Sequence, residues 1–407
     1  MKFLPRGYSR DIWTMFATNA VTSIGFSVSM PYLSLYLNNV LKIPMTLVGT
    51  ILMASLVIGA TIGIYGGELS DRMGRKWVMV RSLFIRCLIF ILFGFAIMYR
   101  VNIMIIVILM IMNASLGSFF MPASQAFVAD LTTEDKRISA YGLIRIGGNL
   151  GWALGPAIGG LLAILDYSYL FFFTGICMFC ATLFLLRFSR ESLKLSDRNG
   201  ETKTTLKDIV SVTRDGKFLA FTLICLSIFI VWGQLVSPIS VYSVNRVGIT
   251  KTQLGILFSI NGFLVVVFQY LITHLFPKRK ELTALVIGAL VYAVGYFTVG
   301  LAGSFSMLAL SMVIITIGEM VITPASHSYA SILADPKHRG RYLGFFNLSQ
   351  SFGWAFGPLL GGILLDAIPG RSMVIWSIIS GLAVFSAFGF LVFKKRLSRS
   401  STPEADG

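Results

Sequence analysis

Twelve stretches of about 20 or more mostly apolar residues run through this 407-residue chain. They lie near 12–38, 46–67, 77–99, 101–124, 139–164, 168–188, 218–241, 252–275, 282–302, 304–328, 342–366 and 372–393. A run of that length matches the hydrocarbon core of a bilayer when helical. Only helices and closed barrels satisfy their backbones there. The runs lack the strict alternation of barrel strands, so they predict helices. Charged residues make up only 13% of the chain, against roughly 25% in an ordinary soluble domain. A water-soluble protein so depleted in charge would expose far too much apolar surface. Soluble enzyme, disordered chain and secreted disulfide scaffold therefore fit poorly. The expected class is an all-α integral membrane protein with twelve transmembrane helices.

The four cysteines, Cys87, Cys177, Cys180 and Cys225, all fall within apolar runs and read as small core residues. No metal site and no cofactor is expected. The basic start (Lys2, Arg6, Arg10) precedes a long apolar stretch without an obvious cleavage site, so the first span is expected to be a true helix. Twelve spans put both termini on one side. With that side cytoplasmic, 26 of the 34 Lys and Arg fall on inner segments and five on outer loops. This positive-inside bias predicts cytoplasmic termini and a multi-pass protein of the cell membrane. It also accounts for the net charge of +16 as loops facing anionic lipid. A nucleic-acid partner would need the charge gathered on one face, and none is expected.

The two halves repeat. Pro122-Ala123-Ser124 recurs as Pro324-Ala325-Ser326. Gly142, Gly151, Trp152, Ala153, Gly155, Pro156, Gly159 and Gly160 recur as Gly344, Gly353, Trp354, Ala355, Gly357, Pro358, Gly361 and Gly362, at a constant offset of 202. A weaker register links Pro31 to Pro238 and Gly49 to Gly255. The expected organisation is an N-terminal six-helix bundle over 1–188, a cytoplasmic linker over 189–216, a C-terminal six-helix bundle over 217–393 and a cytoplasmic tail over 394–407. A short amphipathic helix near Leu206–Val212 competes there with a plain solvated linker. Two pseudo-symmetric bundles suit a rocking carrier with a central site that opens alternately to each side.

The sharpest motif is Gly67-Glu68-Leu69-Ser70-Asp71-Arg72-Met73-Gly74-Arg75-Lys76, placed in the loop between spans two and three. Glycine suits a tight turn, and Asp71 is placed to accept from the N-terminus of a neighbouring helix. The plainer reading is a basic turn that only sets orientation. Span five carries Gly151, Gly155, Pro156, Gly159 and Gly160, and span eleven carries Gly353, Gly357, Pro358, Gly361 and Gly362. Small residues four apart let helix backbones approach closely, and proline removes a donor and promotes a kink.

On these residues the sequence resembles the major facilitator superfamily, whose signature loop reads G-x-L-A/S-D-R-x-G-R-K/R. The span-five motif, with Gly25 and Pro31 in span one, is similar to motifs of its twelve-span drug:proton antiporters. The resemblance implies the major facilitator fold and a cytoplasmic latch of Gly67, Asp71, Arg72, Gly74 and Arg75. Asp71 would face the start of span eleven near Arg341, and Arg75 would pair with Asp130. Asn113 stands where span four of those antiporters often carries an arginine. The resemblance also implies that spans one, four, seven and ten line the substrate cavity, which nominates Tyr32, Tyr36, Asn113, Trp232 and Gln234. For the aromatic ones, packing or an interface belt is the competing reading.

Of the 18 acids, Glu319 alone sits well inside a span. An ionised carboxylate at the bilayer centre costs about 2.5–3.5 kcal/mol on insertion scales, so burial favours the neutral form. Such a group can load and release a proton. The alternatives are a permanently neutral glutamic acid and one permanently paired with arginine. Arg145 in span five is the second proton-coupling candidate, with Asn149 one turn away as a possible contact. Arg86 in span three reads as structural or snorkelling. Aromatic walls suit apolar or cationic ligands.

The expected function is therefore secondary transport: proton-coupled export of hydrophobic or cationic small molecules by alternating access. The partners are a small-molecule substrate, protons and the bilayer, with a functional monomer. Proton-linked transport of a metabolite such as a sugar or peptide is the alternative. A membrane enzyme or sensor is disfavoured, because no P-loop, HExxH or triad is present.

Overall fold

The computed structural model describes residues 8–192, 211–275, 280–335 and 338–400. Among them are twelve helices long and apolar enough to cross a membrane. We label them α1 Arg10–Leu35, α2 Met45–Met73, α3 Arg75–Met98, α4 Ile103–Asp130, α5 Glu134–Leu165, α6 Tyr167–Phe188, α7 Gly216–Trp232, α8 Lys251–His274, α9 Glu281–Leu301, α10 Phe305–Leu333, α11 Arg339–Ala367 and α12 Ser372–Ser400. The chain is thus an all-α, multi-pass membrane protein. The linker segment 193–210 lies outside the described residues, and the predicted amphipathic helix falls mostly within it. Only a short 3-10 turn, Ser211–Arg214, follows. The polar tail is partly helical, because α12 runs on to Ser400.

Side chains start several helices where the sequence offers a capping residue. Asn102 Oδ1 accepts from Met104 N at 2.9 Å at the start of α4. Asp166 Oδ1 accepts from Ser168 N at 2.7 Å at the start of α6. Asp215 Oδ1 accepts from Lys217 N and Phe218 N, both at 3.0 Å, at the start of α7.

The signature motif is not a loop. Its residues through Met73 are the last turns of α2, and α3 begins at Arg75. Good helix formers at Glu68, Leu69, Arg72 and Met73 extend the helix past the apolar run. Gly74 alone makes the reversal, at φ +96°, a conformation open to glycine and costly for other residues.

The seventh span is broken. After α7 the chain turns through Gly233–Val236 and resumes as a short helix, Ser237–Tyr242. The break is bridged by Gln234 N donating to Val231 O at 3.1 Å and Leu235 N to Trp232 O at 3.0 Å. Non-helical backbone at membrane depth must be satisfied within the protein. The first span stays helical through Pro31. Both spans then end in a π-helical turn, Tyr36–Val40 and Ser243–Val247.

The chain forms two compact units. The first contains 1–43, 51–202 and 249–266; the second contains 44–50, 203–248 and 267–407. Each sequence half therefore lends the start of one helix, α2 or α8, to the other unit. Within the first unit α1 packs on α5 and α6, and α3 packs on α4 and α6. Phe93 and Phe171 stack at 5.1 Å in the α3–α6 seam. Within the second unit α9 packs on α10 and α12, and α7 packs on α11 and α12.

The repeated glycines make two of these seams. A Cβ at Gly151 would lie 2.7 Å from Ile24 N, and one at Gly159 would lie 2.7 Å from Tyr32 Cε2. In the second unit a Cβ at Gly357 would lie 2.6 Å from Gly233 C, and one at Gly361 would lie 2.7 Å from Pro238 Cβ. Backbone-to-backbone approach this close is the packing that small residues four apart permit.

Candidate functional site

In the second unit Glu319 lies midway along α10, neither fully buried nor fully exposed. The preceding residue sets its surroundings. A Cβ at Gly318 would lie 2.6 Å from Tyr292 Cδ1, so only glycine lets α10 seat this closely on α9. Tyr292 and Tyr296, both buried in α9, lie within electrostatic reach of the Glu319 carboxylate. From α8, Gln269 Nε2 donates to Met320 O at 3.0 Å. Two phenols thus lie within electrostatic reach of the carboxyl. Tyrosines 292 and 296 are site residues that the sequence reading missed. Their spacing, one helical turn apart on α9, gave no reason to favour them over other aromatics.

In the first unit the buried arginine is Arg86. It is 9% exposed, and its Nε donates to Asn113 Oδ1 at 2.9 Å. Asn113, nominated for the cavity, is itself only 8% exposed. Arg145 is exposed on α5, with no hydrogen bond to Asn149 among the described residues.

Three other cavity candidates prove to be enclosed. The Tyr32 hydroxyl is fully buried and bonds the carbonyls of Pro156 at 3.0 Å and Lys251 at 3.2 Å. Gln234 is also fully buried, its Nε2 donating to Gly357 O at 2.7 Å. Both brace a proline-containing helix rather than face an open space. Tyr36 is buried beside Tyr167, with ring centroids 5.7 Å apart. Trp232 remains partly exposed, edge-on to Trp354 at 5.9 Å.

At the end of the first unit that carries the signature motif, Arg75 Nε lies 3.5 Å from Asp130 Oδ2, and Arg75 Nη1 donates to Ser70 Oγ at 2.8 Å. The Ser192 hydroxyl donates to the same Asp130 oxygen at 2.8 Å. Glu191 Oε2 accepts from Lys76 N at 3.1 Å, where the first turn of α3 favours negative charge. Lys76 Nζ reaches Ser189 O at 2.7 Å. Glu191 and Ser192 belong to a stretch read from the sequence as linker, and nothing in that stretch marked them. Arg72 is exposed. Gly67 lies in the last turns of α2; the side chain of Asp71 lies outside the described ones, and so does its predicted contact.

The four cysteines are free. Among the described residues no group of three or more His, Cys, Asp or Glu is arranged to hold a metal ion.

The sequence profile of the Major Facilitator Superfamily matches residues 15–358 and 282–407. An uncharacterized MFS-type transporter of Bacillus subtilis, YttB, is 29% identical over 379 residues, covering 92% of each chain. The multidrug resistance protein MdtH of Proteus mirabilis is 27% identical over 352 residues, covering 86% of this chain and 85% of its own. Among solved structures, a POT family transporter in complex with 5-aminolevulinic acid superposes with a TM-score of 0.80 at 16% identity. It covers 97% of this chain and 98% of that one. The nucleoside transporter NupG gives 0.79 at 14% identity, over 94% and 99%. At such identities these two speak for the fold alone. With the profile spanning most of its length and twelve apolar helices in two repeated halves, the chain belongs to the Major Facilitator Superfamily and is a transporter, not an enzyme.

Proposed function

We propose that this transporter exports hydrophobic or cationic small molecules in exchange for protons, by alternating access. The observation that carries the reading is Glu319, an acid midway along a spanning helix, within electrostatic reach of two buried tyrosines. The ionised carboxylate attracts a lipophilic cation, and the partly exposed Trp232 offers a ring face to it. Protonation removes that attraction, so proton and substrate compete for one group. An inward potential of 100 mV supplies about 2.3 kcal/mol per proton, roughly a fifty-fold gradient for one-to-one exchange with a neutral substrate. The relatives named as multidrug resistance proteins support this direction.

In this reading the Arg75–Asp130 pair, with Gly67, Asp71, Arg72 and Gly74, belongs to the cytoplasmic latch. Arg145 is a secondary candidate for the coupling path. The termini are cytoplasmic in the cell membrane, and one chain completes the cycle. The test is reconstitution with a pH-sensitive dye inside the vesicles. Under an imposed proton gradient, addition of tetraphenylphosphonium should move protons in wild type and not in Glu319→Gln. Undiminished coupled movement in the variant would make Glu319 structural. No movement with any lipophilic cation would remove the exporter reading.

A further inference from the structure

Arg86 lies eleven residues from the start of α3 and twelve from its end. At 1.5 Å per residue it is roughly 16 Å from either end, too deep for a lipid headgroup to reach. Arginine keeps its charge in proteins, and a charge at this depth marks a functional site by default. Neither α3 nor α4 carries an acid near it. The one carboxylate of the pair, Asp130, stands 17 residues beyond Asn113, about 25 Å along α4. Among the described residues Arg86 makes no ion pair.

The hydrogen bond to Asn113 sharpens the chemistry. Guanidinium has five N–H donors and no acceptor, and one of the five is used. The bond takes one lone pair of the amide oxygen, and the amide NH2 donors have no other partner among the described residues. The pair therefore presents mostly donors to its surroundings, four guanidinium and two amide N–H groups against one remaining lone pair, and neither residue has another hydrogen-bonding partner among the described ones. Neither contributes to the polar atoms that the fold encloses without a partner. Gly117, one turn along α4 from Asn113, lies beside the guanidinium: a Cβ there would stand at ordinary contact distance, 3.9 Å, from both Arg86 Cζ and Nη1. The neighbouring face of α4 is used for packing, since a Cβ at Gly59 of α2 would lie 2.8 Å from Ala114 Cβ.

We infer that Arg86 and Asn113 form a binding site for the carboxylate of an amphiphilic organic molecule, entered over Gly117. A fork of guanidinium donors suits a planar carboxylate, and the amide NH2 adds a third donor. The apolar walls of α3 and α4 take the rest of the ligand. The site goes beyond the exporter reading and needs no part of Glu319.

The test measures binding, not transport, so its failure is separate from failure of proton coupling. The full chain in phosphatidylcholine nanodiscs is titrated with dansylglycine and with its methyl ester, following dansyl fluorescence. Wild type should bind the carboxylate at least tenfold more tightly than the ester. Arg86→Gln should abolish that preference. Gly117→Val keeps the charge but fills the approach, and it should also abolish the preference. It serves as the deciding variant if Arg86→Gln fails to fold. Equal binding of acid and ester by wild type, no binding of either, or a preference that survives in the folded variants would overturn the site.

Discussion

The carboxylate of Asp366, near the end of α11, closes the start of α2 within the second unit. Its Oδ2 accepts from Thr46 N at 2.7 Å and from Thr46 Oγ1 at 2.8 Å, and its Oδ1 accepts from Met45 N at 3.1 Å. One side chain thereby serves two backbone donors that a helix N-terminus leaves unpaired. Asp366→Ala should lower stability by about 1 kcal/mol, the usual worth of such a cap. Asp366→Asn should recover part of it. Thermal unfolding of the purified protein in detergent would show both.

Tyr32 and Pro156 make a comparable bond in the first unit. Tyr32→Phe keeps the packing and leaves the buried Pro156 carbonyl with no hydroxyl. A loss of about 1–2 kcal/mol is expected, the range for stranding a buried acceptor. Unchanged unfolding would show that this carbonyl is satisfied without Tyr32.

The glycines of the repeated motif should respond in opposite ways. A Cβ at Gly142 meets nothing within 4 Å. Gly142→Ala should therefore stabilise by about 0.5–1 kcal/mol through lower chain entropy in the unfolded state. A Cβ at Gly357 would meet the Gly233 backbone at 2.6 Å. Gly357→Ala should destabilise by about 1–3 kcal/mol, since backbone cannot yield as a side chain does. Equal effects at the two positions would mean that the α7–α11 seam is looser than described.

Arg75 and Asp130 are partly exposed, so their pair contributes little to stability, about 0–1 kcal/mol. Asp130→Asn should leave the unfolding temperature nearly unchanged. If the latch works as proposed, the same change should lower substrate-driven proton flux several-fold. Intact flux would reduce the pair to an ordinary surface contact.

These contrasts show what a linear chain discloses. The spans were readable because apolar length is a one-dimensional property. The glycine seams were readable because the repeat printed them twice. Helix rotation was not readable. Arg86 and Arg145 are both arginines inside apolar runs, yet one is enclosed against Asn113 and the other is exposed. Tyr32 and Gln234 are residue types that line cavities or brace backbones equally well. Their partners, the carbonyls of Pro156 and Gly357, lie more than 120 residues away. The break at Gly233–Val236 had only Pro238 to announce it, and Pro31 occupies the matching place in an unbroken helix.

The central claim is that proton and substrate compete at Glu319. It is tested most directly by mixing the purified protein with tetraphenylphosphonium in unbuffered solution near neutral pH and recording proton release. The account predicts release on cation binding, approaching one proton per cation as the pH is lowered, and none from Glu319→Gln. Cation binding without release at any pH, or release that persists in Glu319→Gln, would contradict it.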